Sequence, residues 1–293
     1  MTAATLQIDS PLSAASSALA DAVAASLKRR GVTKIGVAYS GGVDSSVLAA
    51  LAARALGKKS VILLLAVSPS LARRQYRFAK AQADFLGLEL VEIPTFELDD
   101  PQYRTNQVDR CYFCKAELAE RFENEAVRIM GLDAIAIGTN ADDLIALDRP
   151  GQRAADERGI LSPLAEAKAT KADVRMIAKE LALPSAEAPA SPCLASRIPH
   201  GTPVSAQALA RIDAAEEAVL DFGFSDCRVR DHGEIARVEV PAAELTRLSD
   251  PATVAGLNSA IRHAGYRYAT VDLAGIQSGA FTLEILAKRG NGR

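Results

Sequence analysis

The chain has 293 residues, 49% hydrophobic and 24% charged, enough for a sizeable core in one large or two smaller domains. A formal charge of −2 and a pI near 6.0 argue against a protein that coats a nucleic-acid backbone. The longest apolar run, Val61 to Val67, is too short to cross a membrane, and residues 1–27 carry no basic residue or unbroken apolar block, so they do not resemble a secretory signal.

These features lead us to expect a cytoplasmic protein. Four cysteines in a chain of this length do not form a disulfide framework; in a reducing compartment a close pair more often marks a metal or redox site.

Along the chain, a helical pattern from about Leu12 to Arg30 ends at Gly31. Short β-rich runs follow at Lys34 to Tyr39, Val61 to Val67, Leu88 to Ile93 and Ala134 to Ile137. Helix-like stretches lie between them at about Asp44 to Leu56, Ser70 to Leu86 and Lys115 to Met130. Near-continuous apolar strands alternating with helices predict an α/β fold with a doubly wound parallel sheet.

After Gly138 the chain turns polar around Arg149-Pro150-Gly151 and Ser162-Pro163-Leu164, with one more helix at Lys171 to Leu181. Pro184 to Pro203 holds five prolines and one cysteine, which excludes regular helix or inner strand. A helix at Ser205 to Phe222, with Ser205 as cap, begins a second domain. It continues with strands at Cys227 to Asp231 and Ile235 to Val240, a helical region to Ala264, and a strand at Tyr268 to Leu273. The expected layout is residues 1–190 as the nucleotide domain, 191–204 as a cysteine-bearing loop, and 205–293 as a small α+β domain for substrate binding or oligomerisation.

Ser40-Gly41-Gly42-Val43-Asp44-Ser45 sits where a strand meets a helix. The glycines let the backbone approach a phosphate, successive N–H groups and the helix start favour an anion, and Ser40 and Ser45 add hydroxyls. Asp44 beside phosphate calls for magnesium or a capping role. No Gly-Lys-Ser/Thr element follows, so this is not the common P-loop. The hexapeptide resembles the Ser-Gly-Gly-x-Asp-Ser loop of the PP-loop ATP pyrophosphatases, which implies ATP binding and release of pyrophosphate through an adenylate.

Arg110-Cys111-Tyr112-Phe113-Cys114-Lys115 places two thiols on one side of a helix start, where the helix end, Arg110 and Lys115 favour thiolates. With Cys193 they make three ligands for an iron–sulfur cluster or zinc with an open position; an incidental pair is the plain alternative. Cys227 reads as a small core residue.

Gly138-Thr139-Asn140-Ala141-Asp142-Asp143, Pro192-Cys193-Leu194-Ala195-Ser196-Arg197-Ile198-Pro199-His200-Gly201-Thr202 and Arg228-Val229-Arg230 together resemble the LarE family of ATP-dependent sulfur transferases, from about Lys34 to Gly279. The resemblance implies adenylation of a carboxylate of a pyridinium mononucleotide, then displacement of AMP by sulfur to give a thiocarboxylate for the nickel-pincer cofactor of lactate racemase. It implies one of two sulfur sources, a sacrificial Cys193 or a 4Fe-4S cluster on Cys111, Cys114 and Cys193. Three cysteines favour the cluster. It also implies a homo-oligomer and transient contact with other proteins of nickel-pincer biosynthesis.

By position in these motifs, Ser196 and Arg197 are expected beside the transferring sulfur, with Arg197 at the adenylate phosphate. Arg228 and Arg230, two apart on a strand, share a face suited to a substrate phosphate; a solvated basic face is the alternative. Glu216 is an acid/base or positioning candidate, against the simpler reading of an exposed helical carboxylate. Asp142 and Asp143 suit magnesium or a turn cap, and His200 suits a structural role. The competing functions are a tRNA thiolase, whose only dense basic cluster here is Arg73, Arg74 and Arg77, an ammonia-using synthetase, and an ATP-binding regulator.

Overall fold

The structure is a computed structural model describing residues 6, 8–145 and 150–277. Arg149 of the polar break, and the part of the family likeness and of the second domain from residue 278 onward, lie outside the described residues. The chain divides into two compact units. The first comprises Met1–Ser68, Arg73–Glu97 and Cys111–Ser191; the second comprises Pro69–Ala72, Leu98–Arg110 and Pro192–Arg293.

In the first unit, β1 (Ile35–Tyr39), β2 (Val61–Val67), β3 (Glu89–Pro94) and β4 (Ala134–Ile137) form a parallel sheet in the order β3-β2-β1-β4. Ile35 pairs with Val61 on one side and Ala134 on the other, so the chain reverses its direction of winding at β1. That reversal opens a crevice beyond the carboxyl ends of β1 and β4, where open α/β sheets bind ligands. Ile35, Val37 and Tyr39 of β1 and Val61 to Leu65 of β2 are buried because helices cover both faces. On one face, α1 (Ala14–Arg29) and α2 (Val43–Leu56) pack together, and Val23, Leu27, Val47, Leu48 and Leu51 are buried. On the other, Ala119 and Phe122 join Ile62, Leu64, Ile93 and Ile135 in one cluster.

Helix α3 (Arg73–Leu86) turns Ala79, Gln82, Ala83 and Leu86 inward. Helix α4 (Arg110–Arg121) starts five residues ahead of the expected Lys115, so both Cys111 and Cys114 lie within its opening turns. It continues as a π-helical stretch, Phe122–Val127, which a 3.6-residue apolar period does not reveal. Helix α5 (Lys171–Glu180) begins with a capping box between Thr170 and Asp173.

In the second unit, α6 (Ala206–Asp221) is capped by the Ser205 hydroxyl, as its sequence predicts. Strands β5 (Arg228–His232), β6 (Ile235–Glu239) and β7 (Tyr268–Val271) form a three-stranded sheet. The β5–β6 pair is antiparallel and the β6–β7 pair parallel. Helix α7 (Pro251–His263) precedes β7, and Val219, Val229, Val238, Leu257 and Ile261 form the core.

Candidate functional site

The nucleotide loop of the first unit is built by close approach. Gly41 has φ +73, and a Cβ there would lie 2.7 Å from the Ala79 Cα of α3, so only glycine fits. Gly42 caps α2 without a side-chain bond, leaving the first N–H groups of that helix for an anion. The Ser40 and Ser45 hydroxyls lie 3.3 Å apart; Ser45 Oγ accepts from Ser40 N and donates to Gly42 O at 3.1 Å. Gln75 of α3 donates to Ser40 O at 2.6 Å and fixes the loop from outside.

The exit of β4 closes on this loop. A Cβ at Gly138 would stand 2.8 Å from Asp44 C and from Ser45 N. Asn140 Nδ2 donates to Asp44 Oδ1 at 3.0 Å, and Lys171 Nζ pairs with Asp44 Oδ2. Asp142 Oδ2 accepts from Lys171 N, at the start of α5, at 2.8 Å, and Asp143 Oδ2 caps its own turn by accepting from Asn140 N at 3.2 Å. Ser40, Gly41, Gly42, Asp44 and Ser45 are therefore together, and the sequence reading missed Asn140, Lys171 and Gln75. The signal for Lys171 was present. A cation in the first turn of a helix opposes the macrodipole and needs a partner to offset it.

Cys111 is exposed and Cys114 half-buried, neither in a disulfide. Arg110 Nη1 donates to Asn106 Oδ1 at 2.6 Å and to Ala195 O at 2.8 Å.

In the second unit, Cys193 is an exposed free thiol at the head of a short 3-10 turn, Leu194–Arg197. Arg197 is 1% exposed and faces inward, with Nε and Nη2 on the two carboxylate oxygens of Glu216 at 2.7 and 3.0 Å. Its Nη1 donates to Pro192 O and Ser196 Oγ. Burial works against the Arg197 charge and Glu216 favours it, with a net upward pKa. Glu216 is thus not an exposed helical carboxylate: it is buried, and also accepts from Val229 N of β5 at 2.9 Å.

Arg228 and Arg230 are buried, not on a solvated face. Arg230 forks onto Glu239 with two bonds of 2.9 Å and reaches Ser196 O at 3.1 Å. Arg228 pairs with Asp226 at 2.6 Å. Glu239, fully buried at the end of β6, is a further residue the sequence reading missed. Cys227 is buried and donates to Glu216 O at 3.5 Å. Burial, then Glu216 and Asp226, push its pKa well above the ordinary thiol value. His200 lies 3.3 Å from Asn106 O, in a structural setting.

Among the described residues of either unit taken alone, no three His, Cys, Asp or Glu side chains form a metal site. Cys111 and Cys193 are exposed and Cys114 is half-buried, none of them in a disulfide, whereas Cys227 is sealed in the core. Among the described residues no helix is long and apolar enough to cross a membrane.

Residues 15–145 match the family model for NAD synthase, which covers the nucleotide loop. An uncharacterized protein of Synechocystis sp. is 39% identical over 83% of this chain and 90% of its own. The pyridinium-3,5-bisthiocarboxylic acid mononucleotide synthase of Lactiplantibacillus plantarum is 33% identical over 84% of this chain and 88% of its own. An uncharacterized protein of Methanocaldococcus jannaschii is 32% identical over 71% and 77% respectively. The NAD synthase match stops before the Cys193 loop, whereas the synthase likeness covers most of both chains. With an adenylating loop in one unit and an exposed thiol on a charge-locked loop in the other, the chain belongs to the LarE family of ATP-dependent sulfur transferases, within the PP-loop ATP pyrophosphatases.

Proposed function

We infer that this enzyme uses ATP to convert a carboxylate of pyridinium-3,5-biscarboxylic acid mononucleotide into a thiocarboxylate, a step of nickel-pincer cofactor biosynthesis. The observation that carries the reading is the exposed Cys193 thiol on its locked loop, in a chain that also holds an uncapped Ser-Gly-Gly-x-Asp-Ser helix start. A carboxylate oxygen attacks the α-phosphorus of ATP, the α–β bridging oxygen leaves with pyrophosphate, and an acyl adenylate remains. Sulfur then adds to the acyl carbon and AMP departs with the electron pair of the broken C–O bond.

The residues divide this work. Backbone N–H groups of Gly41, Gly42 and the α2 start, with the Ser40 and Ser45 hydroxyls, hold the departing phosphates. Asp44 suits magnesium, because a hard cation bridging phosphate oxygens is normally held by one or two carboxylates. Lys171, which pairs with Asp44, would turn toward phosphate where a cation takes its place on that carboxylate. Arg228, whose Asp226 partner is the more exposed member of the pair, binds the mononucleotide phosphate with Arg230. Ser196 flanks the sulfur. Arg197 and Glu216 act through the loop they fasten.

Cys111, Cys114 and Cys193 would hold a 4Fe-4S cluster, which would supply the sulfide for transfer. Cysteines outside any disulfide fit a reducing, cytoplasmic setting. A homo-oligomer that exchanges substrate with other enzymes of the same biosynthesis completes the reading. Cys193→Ala tests it: pyrophosphate release with the mononucleotide persists and thiocarboxylate disappears. Normal thiocarboxylate yield from that variant contradicts the assignment.

A further inference from the structure

The Cys193 loop has almost no regular structure, yet its carbonyls are held by buried side-chain donors. Arg197 Nη1 takes Pro192 O at 2.7 Å and Cys193 O at 3.3 Å, and Arg230 takes Ser196 O at 3.1 Å. The remaining donors come from residues far earlier in the chain. Arg110, 6% exposed, takes Ala195 O at 2.8 Å. Asn106, fully buried, shares its Nδ2 among Ile198 O, Pro199 O and Thr202 O at 3.3, 2.9 and 2.9 Å.

Asn106 is built for this task. Its backbone is left-handed at φ +56, a conformation that costs an ordinary residue free energy and that asparagine tolerates best after glycine. Its Oδ1 accepts from Arg110 at 2.6 Å, which orients the amide so that Nδ2 faces the loop. Its own carbonyl accepts from Gly201 N at 3.0 Å. One side chain therefore gathers three carbonyls, and the neighbouring guanidinium fixes both that side chain and a fourth.

We propose that Asn106 and Arg110 are positioning residues for Cys193, holding the residue 193–202 loop in the one conformation from which sulfur is delivered. The proposal rests on the sulfur-transfer reading above for its catalytic consequence, but the holding of the loop is measurable without any substrate. Sulfur delivery to an acyl adenylate is a geometry-limited step, so a displacement of about 1 Å costs about a hundredfold. Adenylation draws on the nucleotide loop and does not pass through these two residues.

The test uses the full-length chain carrying Asn106→Gly, which keeps the left-handed backbone free of strain and removes the amide-bearing side chain. The expected result is a fall of about tenfold or more in kcat for thiocarboxylate formation, with KM and the rate of pyrophosphate release within about twofold of the parent. In the same protein, hydrogen exchange at the Ser196 and Ile198 amides rises about tenfold or more, while α6 amides are unchanged. Arg110→Met, which keeps an unbranched apolar stem but has no donors, gives the same pattern and serves if Asn106→Gly does not fold. Unchanged exchange and unchanged kcat in the folded variant overturn the proposal. If the parent itself makes no thiocarboxylate, the sulfur-transfer reading fails instead, and the exchange result alone decides whether Asn106 and Arg110 hold the loop.

Discussion

Asp44 shows how much a single charge organises here. A carboxylate inside a phosphate loop repels its ligand unless a cation accompanies it, and Lys171 and Asn140 hold its two oxygens. Lys171→Ala is expected to raise KM for ATP about tenfold in a pyrophosphate-release assay and to leave the melting temperature nearly unchanged, because this pair is partly exposed. The Arg197–Glu216 pair differs, with side chains 2% and 10% exposed. Glu216→Ala strands a buried cation and removes the acceptor of Val229 N, so urea unfolding should show a loss of about 3 kcal/mol or more. Cys227 adds a pH dependence. Its folded-state pKa is raised, so its contribution to stability is intact below the unfolded thiol value of 9.0 and declines as pH rises above it. Urea midpoints measured at about pH 8 and pH 10 should differ more for the parent than for Cys227→Ala.

At the scale of elements, the periods and apolar runs of the sequence located β2 and β4 at Val61–Val67 and Ala134–Ile137 and the cap of α6 at Ser205, because each rests on local chemistry. The loop at Ser40–Ser45 was legible for the same reason. What local patterns could not reveal was pairing at long range. Residues 98–110 join the second unit, and Asn106 reaches carbonyls more than 90 positions away. Glu216 reads as a surface carboxylate although it lies on the buried stripe with Leu209, Ile212 and Val219; a charge on an apolar stripe was the available signal. Gly138 tests the packing of β4 against α2. Gly138→Ala drives a methyl into the Asp44–Ser45 backbone, and ATP-dependent pyrophosphate release should fall about tenfold or more while the sheet remains folded.

Across the whole molecule, the two units carry separable chemistry. The first holds a nucleotide loop shared with NAD synthase, and the second holds a thiol fastened by arginines and carboxylates. ATP activation alone suits several families; the second unit and the family membership direct the activated carboxylate to sulfur. The central claim is therefore tested most directly by mass spectrometry of the mononucleotide after incubation with ATP, magnesium and the anaerobically reconstituted full-length chain. The account predicts a product heavier by the difference between sulfur and oxygen, formed with stoichiometric AMP and pyrophosphate. An adenylated or amidated product, or unchanged mononucleotide, would contradict it.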